Sequence, residues 1–291
     1  MGDDLALAVD IGGTKMAAGL VDDAGVLLDR RASPTPPDAG AEALFAVLAE
    51  SVVAPLLVGA APVVCGVGCG GPMTPGGEEV SPLNIEGWRS FPLRSRLSVL
   101  TGLPTFVDND AKALALGEGW VGAAAGVSDF LAMVVSTGVG GGIVLGGQLL
   151  DGAEGNAGHI GHVIVVPDGR RCACGAYGCL EAEASGRAIA AATGLPAAEA
   201  SSEVRVRTGR LVGQAVASVA NLLDLRLAVV GGSVALGFGD GFFDAAQEEL
   251  DRSARLSFSV GARIVPAGLG EIGPLVGAAA VGWRGLGRPL P

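Results

Sequence analysis

Apolar residues near the start of the chain come in short runs broken by glycine and acidic turns. Leu5 to Val9 is one run, ending at Asp10; Ile11-Gly12-Gly13-Thr14-Lys15 follows, and then a second run from Met16 to Val21. Asp22-Asp23-Ala24-Gly25 is a turn signal, and Val26 to Arg31 a third run. Strands this closely spaced predict an antiparallel meander, because a parallel pair needs a crossover of about a dozen residues. From 41 to 58 the period becomes helical, with Leu44, Val47, Leu48, Ser51 and Val52 in register and a stop near Pro55. Val63 to Val67 reads as a buried strand and Gly68 to Gly77 as a glycine-rich loop. A helix around 92–101, a strand Thr105–Val107 and a helix from Asp110 to Glu118 follow.

The second half starts the same way. Phe130 to Ser136 predicts a strand, Thr137 to Gly142 a glycine loop, and Ile143 to Leu145 a strand again. Two strand–glycine loop–strand units in corresponding positions predict an internal duplication with a cleft between the halves. Helices are expected at about 180–193, 205–223, 240–254 and 271–286, and a strand at 226–230 running into Gly231-Gly232-Ser233. This mixture predicts α/β layering.

Composition narrows the function classes. Hydrophobic residues make up 49% and charged ones 17%, which excludes disorder. A net charge of −11 argues against non-specific nucleic-acid binding. Two uncharged runs, Ser51 to Gly77 and Phe130 to Leu150, are long enough to raise a membrane question. Four prolines interrupt the first and six glycines the second, so both read as buried strand plus loop, and no membrane partner is expected. Met1-Gly2-Asp3-Asp4 is acidic where a secretory leader is basic, so a cytoplasmic, reducing location is expected. Cys65 and Cys69 lie in an apolar run and read as small buried hydrophobes.

Three kinds of chemistry stand out. Glycines at a strand-to-strand turn let backbone N–H groups approach an oxyanion, and Thr14 and Thr137 add hydroxyl donors, so both glycine loops are candidate phosphate cradles. Asp10 is placed either to cap its turn or to hold Mg²⁺ through water. Asp108-Asn109-Asp110 offers either a helix cap or a base plus an orienting amide. Finally, both histidines, His159 and His162, precede Cys172-Ala173-Cys174 and Cys179. One imidazole and three sulfurs suit a closed tetrahedral zinc site; the alternative is buried thiols beside a solvated histidine.

Taken together, Asp10-Ile-Gly-Gly-Thr-Lys15, Asn109-Asp110, Ser136-Thr-Gly-Val-Gly-Gly-Gly142, the Gly-x-Gly-His segment and Cys172-x-Cys-Gly-x-x-Gly-Cys179-x-Glu181 resemble the ROK family of sugar kinases and sugar-responsive repressors over nearly the whole chain. The resemblance implies a two-lobed, actin-like ATPase (ribonuclease H-like) α/β fold with ATP and sugar meeting in a cleft. Residues 1–110 would form the smaller lobe, completed by a C-terminal helix at about 271–291. Residues 111–270 would form the larger lobe, carrying the zinc loop and a homodimer surface. Asp110 is implied as the base that takes the proton of the sugar 6-hydroxyl. Gly70, Gly71, Asn84, Asn109, His159, His162 and Glu181 are implied to line the sugar. Asp10, Gly12, Gly13, Thr14, Lys15, Thr137, Gly138, Gly140, Gly231 and Gly232 are implied to hold ATP and Mg²⁺. His162, Cys172, Cys174 and Cys179 are the implied structural zinc ligands.

One departure bears on substrate. Most kinases of the family carry Glu where this chain has His159, and histidine there is similar to the bacterial N-acetylmannosamine kinases and to the N-acetylglucosamine-responsive repressors. A neutral His donates to one acceptor and leaves an acetamido group clear of a buried carboxylate, whereas Glu accepts from a 1,2-diol. The repressors carry a helix-turn-helix before the first phosphate loop, and here that strand starts at Leu5, so a kinase is expected. The expected activity is phosphorylation of N-acetylmannosamine at the 6-hydroxyl. The alternatives are a glucokinase or hexokinase of the same family, and a catalytically silent sugar sensor.

Overall fold

A computed structural model describes residues 4–288. Met1 to Asp3, part of the segment whose acidity spoke against a leader, and residues 289–291, assigned above to the completion of the smaller lobe, lie outside the described residues. The elements run β1 (Leu5–Ile11), β2 (Lys15–Asp22), β3 (Leu27–Pro34), α1 (Ala41–Ala46), a π-helical stretch Val47–Val53, α2 (Ala54–Leu57), β4 (Val64–Cys69), α3 (Leu93–Thr101), β5 (Thr105–Asn109) and α4 (Asp110–Val121). They continue with β6 (Phe130–Val135), β7 (Val139–Leu145), β8 (Gln148–Leu149), α5 (Leu180–Ala184), α6 (Gly186–Thr193), α7 (Ser202–Leu223), β9 (Leu227–Gly231), α8 (Ser233–Phe238), α9 (Asp240–Ser253), β10 (Arg263–Pro266) and α10 (Gly273–Gly285).

The chain divides into two units. The first holds everything described up to Gly126, then Asp151–Ala157 and the described residues from Leu269 onward; the second holds Val127–Leu150 and Gly158–Gly268. Helix α4 therefore belongs to the first unit, whereas the sequence reading began the larger lobe at residue 111. It stays there because its small faces press on α10, where a Cβ on Gly277 would stand 2.4 Å from the Ala113 carbonyl oxygen.

Each unit contains one five-stranded sheet, ordered β3-β2-β1-β4-β5 in the first and β10-β9-β6-β7-β8 in the second. In both, an antiparallel three-strand meander is extended by two parallel strands, so β6–β10 repeat the topology of β1–β5 strand for strand. The internal duplication read from the two glycine loops is present in the fold.

Strand β1 is buried on both faces, and its side chains alternate in size. Leu7, Val9 and Ile11 enter a core with the α1–α2 segment, Trp88 and Phe91; Ala6 and Ala8 lie on the opposite face, in the core formed with α10. Small residues there let helix and sheet approach backbone to backbone. A Cβ placed on Gly66 of β4 would stand 2.0 Å from the Ala278 carbonyl oxygen and 2.6 Å from the Gly282 nitrogen. Gly66→Ala is therefore expected to lower the unfolding free energy by about 3 kcal/mol, since neither backbone atom can move aside cheaply. Urea denaturation checks this, and a loss below about 1 kcal/mol would show that α10 can slide off the strand.

In the second unit, α7 and α9 cross at glycines in the same manner, Gly209 against the Phe242 carbonyl and Gly213 against the Ala246 carbonyl. Cys65 and Cys69 are fully buried in strand β4, as read from their apolar surroundings. Among the described residues no helix is long and apolar enough to cross a membrane.

Several elements differ from the sequence reading. The helix expected over 180–193 is two helices, because Ser185 takes an extended conformation and its hydroxyl caps α6 by accepting from Ala188 N–H at 3.1 Å. The glycine loop expected over 137–142 is shorter, since β7 already begins at Val139 and contains Gly140, Gly141 and Gly142. Strands β8 and β10 and helix α8 had no clear sequence signal.

Candidate functional site

In the first unit the chemistry gathers at the carboxyl ends of β1, β4 and β5. Asp10 of β1 pairs in register with Gly68 of β4, and Gly68 with Asp108 of β5. A Cβ on Gly68 would lie 3.8 Å from Asp10 Oδ1 and 3.6 Å from the Asp110 Cα, so the two acids flank the same residue of β4. Loss of water around Asp10 and, next, the charge of Asp110 push its carboxyl up to about 7, with Lys15 pulling the other way. Two carboxylates that resist ionising together are the donor chemistry a divalent cation relieves.

Asp110 is the first residue of α4, and Asn109 caps that helix by accepting the Ala111 N–H at 3.0 Å. Asp110 Oδ1 accepts the same N–H at 2.8 Å. Asn109 thus caps the helix, and the exposed Asp110 stands beside Asp10.

The turn between β1 and β2 is held open by its backbone. Gly12 N–H donates to the Lys15 carbonyl at 3.0 Å, and the Thr35 hydroxyl donates to the Gly12 carbonyl at 2.7 Å. Thr14 and Lys15 are exposed at its tip. A Cβ on Gly13 would meet Asn84 Cβ at 2.6 Å, so the phosphate-loop candidate and a sugar-contact candidate abut. Gly70 and Gly71 lie half-buried just after β4.

The second unit carries the other half of the expected residues. Thr137 and Gly138 form the short turn between β6 and β7, while Gly140 lies within β7 itself. Gly231 ends β9 and Gly232 precedes α8, whose Ser233 hydroxyl is 2.9 Å from that of Ser136. Glu181, on the first turn of α5, accepts the Val139 N–H through Oε2 at 2.9 Å. A Cβ on Gly138 would come within 2.7 Å of that oxygen.

His162, Cys172, Cys174 and Cys179 each present one ligand atom, all within 4.8 Å of one another. Cys174 and Cys179 sulfurs are 3.7 Å apart, as are Cys172 Sγ and His162 Nδ1. Tetrahedral zinc with Zn–S near 2.3 Å and Zn–N near 2.05 Å requires edges of about 3.6–3.8 Å, so these donors fit that ion. The imidazole meets the sulfurs through Nδ1, which leaves Nε2 for another partner. His159 is not among the four; its ring lies 6.0 Å from that of His162, centroid to centroid.

Two supporting groups escaped the sequence reading. Glu183 is 2% exposed and accepts from Arg170 N–H and Arg207 Nη2, both at 2.7 Å, which ties the cysteine loop to α5 and α7. Burial alone would raise its carboxyl, but those donors outweigh it and hold the group below the usual range. Lys112, also 2% exposed, bonds to Asp108 at 3.0 Å, Asp151 at 2.9 Å and the Gly155 carbonyl at 3.1 Å, and Arg284 joins Asp151 at 2.8 Å. This network lies directly behind the β5–α4 turn that presents Asp110.

The family model of the ROK family matches residues 6–283. The N-acetylmannosamine kinase of Escherichia fergusonii is 42% identical over 249 residues, covering 80% of this chain and 84% of that protein. Among solved structures, a ROK family glucokinase from Streptomyces griseus, crystallised with glucose and AMPPNP, superposes with a TM-score of 0.85 at 33% identity, covering 96% of this chain and 99% of that one. The ROK hexokinase of Thermus thermophilus gives 0.83 at 34% identity, over 97% and 99% of the two chains. With its two duplicated sheets, its acidic pair, its glycine turns and its His–Cys₃ group, the chain belongs to the ROK family and has that family's two-lobed, actin-like ATPase fold.

Proposed function

We propose that this sugar kinase transfers the γ-phosphoryl group of ATP to the 6-hydroxyl of N-acetylmannosamine, with Asp110 as general base. The observation that carries the reading is the convergence of Asp110 and Asp10 across Gly68, beside the Gly12–Gly13 turn. Asp110 accepts the hydroxyl proton as the oxygen attacks phosphorus. That demand is light, because the transition state of phosphoryl transfer is loose and positioning does most of the work. Magnesium held through Asp10 would screen the phosphate charge.

The glycine turns of both units offer N–H donors to phosphate, and Asn109 and Glu181 offer polar partners to sugar hydroxyls. His162 reaches sugar through Nε2 while Nδ1 binds structural zinc, so the metal sets the orientation of a substrate contact. His159 favours an N-acyl sugar, and the N-acetylmannosamine kinase relatives support the same choice.

A panel of hexoses and N-acylhexosamines with ATP and Mg²⁺, followed by ADP release, tests the proposal. N-acetylmannosamine is expected to give the highest kcat/KM, by about 10-fold or more over glucose, the discrimination one misplaced polar contact supplies. Turnover of glucose in preference would establish the second reading, a glucokinase, which the likeness to the Streptomyces griseus enzyme favours. Absence of turnover on every sugar would leave a sugar sensor.

A further inference from the structure

We infer that Glu181 is a positioning residue for the nucleotide: one carboxylate oxygen holds the second phosphate turn in shape, whether or not sugar is present. The inference rests on reading Thr137–Gly138 as that phosphate turn. Four contacts within the second unit lead to it.

Glu181 Oε2 accepts the N–H of Val139, the residue that leaves the turn, at 2.9 Å. Gly138 is seated against the same oxygen so closely that no side chain fits between them. On the other flank, Gly161 of the His159–His162 segment presses on the Val139 carbonyl, where an added Cβ would stand 2.2 Å from the oxygen. Gly186 N–H donates to the Ser136 carbonyl at 2.7 Å, closing the near side.

The turn itself has one cross-bond, Ser136 N–H to the Gly138 carbonyl at 2.9 Å, and Thr137 and Gly138 are half-buried rather than packed. A short glycine turn holds its N–H groups toward an anion only if something outside it fixes the backbone. Glu181 supplies that from the first turn of α5, next to the zinc-binding Cys179. A charged acceptor on a backbone N–H is among the stronger hydrogen bonds. A residue with one carboxylate oxygen on the phosphate turn and the other free for sugar links the two substrates chemically.

The test is Mg²⁺–ADP binding to the zinc-loaded protein by calorimetry, with no sugar present. Glu181→Ala is expected to weaken ADP by about 10-fold or more, the loss of one charge-assisted hydrogen bond, while Glu181→Gln, whose amide oxygen still accepts from Val139, recovers most of it. A residue that only touches sugar would leave this measurement unchanged. Should Glu181→Ala fold poorly, Gly138→Ala provides a second arm. Its new Cβ meets only the tip of a flexible side chain, so the fold survives while the carboxylate is pushed off Val139. The double variant is expected to lose little more than either single one.

ADP affinity within twofold of the parent in Glu181→Ala overturns the inference alone. Fully additive losses in the double variant do the same, because they place the effect of Gly138 on the phosphate directly. A parent protein that binds no ADP overturns both the inference and the phosphate-turn reading.

Discussion

Asp110→Asn is expected to lower kcat by about 10³-fold, the contribution of a positioned general base, with the KM values for sugar and ATP held within a few-fold. Asparagine keeps the shape of the side chain, and its Oδ1 can still accept the Ala111 N–H that Asp110 Oδ1 accepts at 2.8 Å. Asn109 caps α4 independently, so the helix start does not depend on the charge that is lost. Burial, the larger cause of the rise of Asp10 to about 7, stays in place, while the substitution removes the second cause, the charge of Asp110. The Asp10 carboxyl therefore shifts downward, toward its ionised form, and is no less able to hold a cation. Loss of turnover with nucleotide binding retained is therefore the signature of a missing base. Activity within tenfold of the parent would place the base elsewhere.

The second large effect belongs to the zinc group. Parent protein is expected to carry about one zinc per chain, and Cys174→Ser to lose nearly all of it, because a closed site tolerates no missing ligand. Sugar KM should rise by about 10-fold, with ATP KM less affected, since His162 loses the partner that fixes its ring. Cys174 is exposed, so the substitution leaves no buried cavity. Glu183 continues to grip Arg170 and Arg207, and α5 persists. Elemental analysis and steady-state kinetics together decide the matter. A parent without zinc, or an unchanged sugar KM in Cys174→Ser, would remove the metal from the account of the sugar site.

Much of this was legible in the chain because the signals are local. The β1–β3 meander shows in three apolar runs parted by a glycine loop and an acidic turn, and the gathering of His162 with three cysteines shows in residues too rare to cluster by accident. What stayed hidden depends on partners far along the sequence. Gly140, Gly141 and Gly142 read as loop by propensity, yet they are strand residues. Gly158 presses its backbone on Gly141, and only glycine permits that approach. Lys112 had no visible role, since its partners Asp151 and Gly155 come from a remote segment that meets α4 only in the folded first unit. The split at Ser185 was missed for a related reason: Ser185 leaves the helical path, and the N–H of Gly186, the next residue, donates to the carbonyl of Ser136 just past the end of β6.

The contact of α10 with Gly66 also dictates the order in which the molecule can be made. The first sheet begins at Leu5, but the helix that covers its small-residue face ends at Gly285, so synthesis must pass the whole of α10 before that face is closed. The second unit, complete at Gly268, is free to fold sooner. Synthesis therefore proceeds against the usual rule that the amino-terminal domain folds first, and the nascent first sheet waits with Ala6, Ala8 and Gly66 bare. A protein truncated before residue 273 would carry every residue proposed here to touch substrate and still lack the helix that covers one face of the strand bearing Asp10.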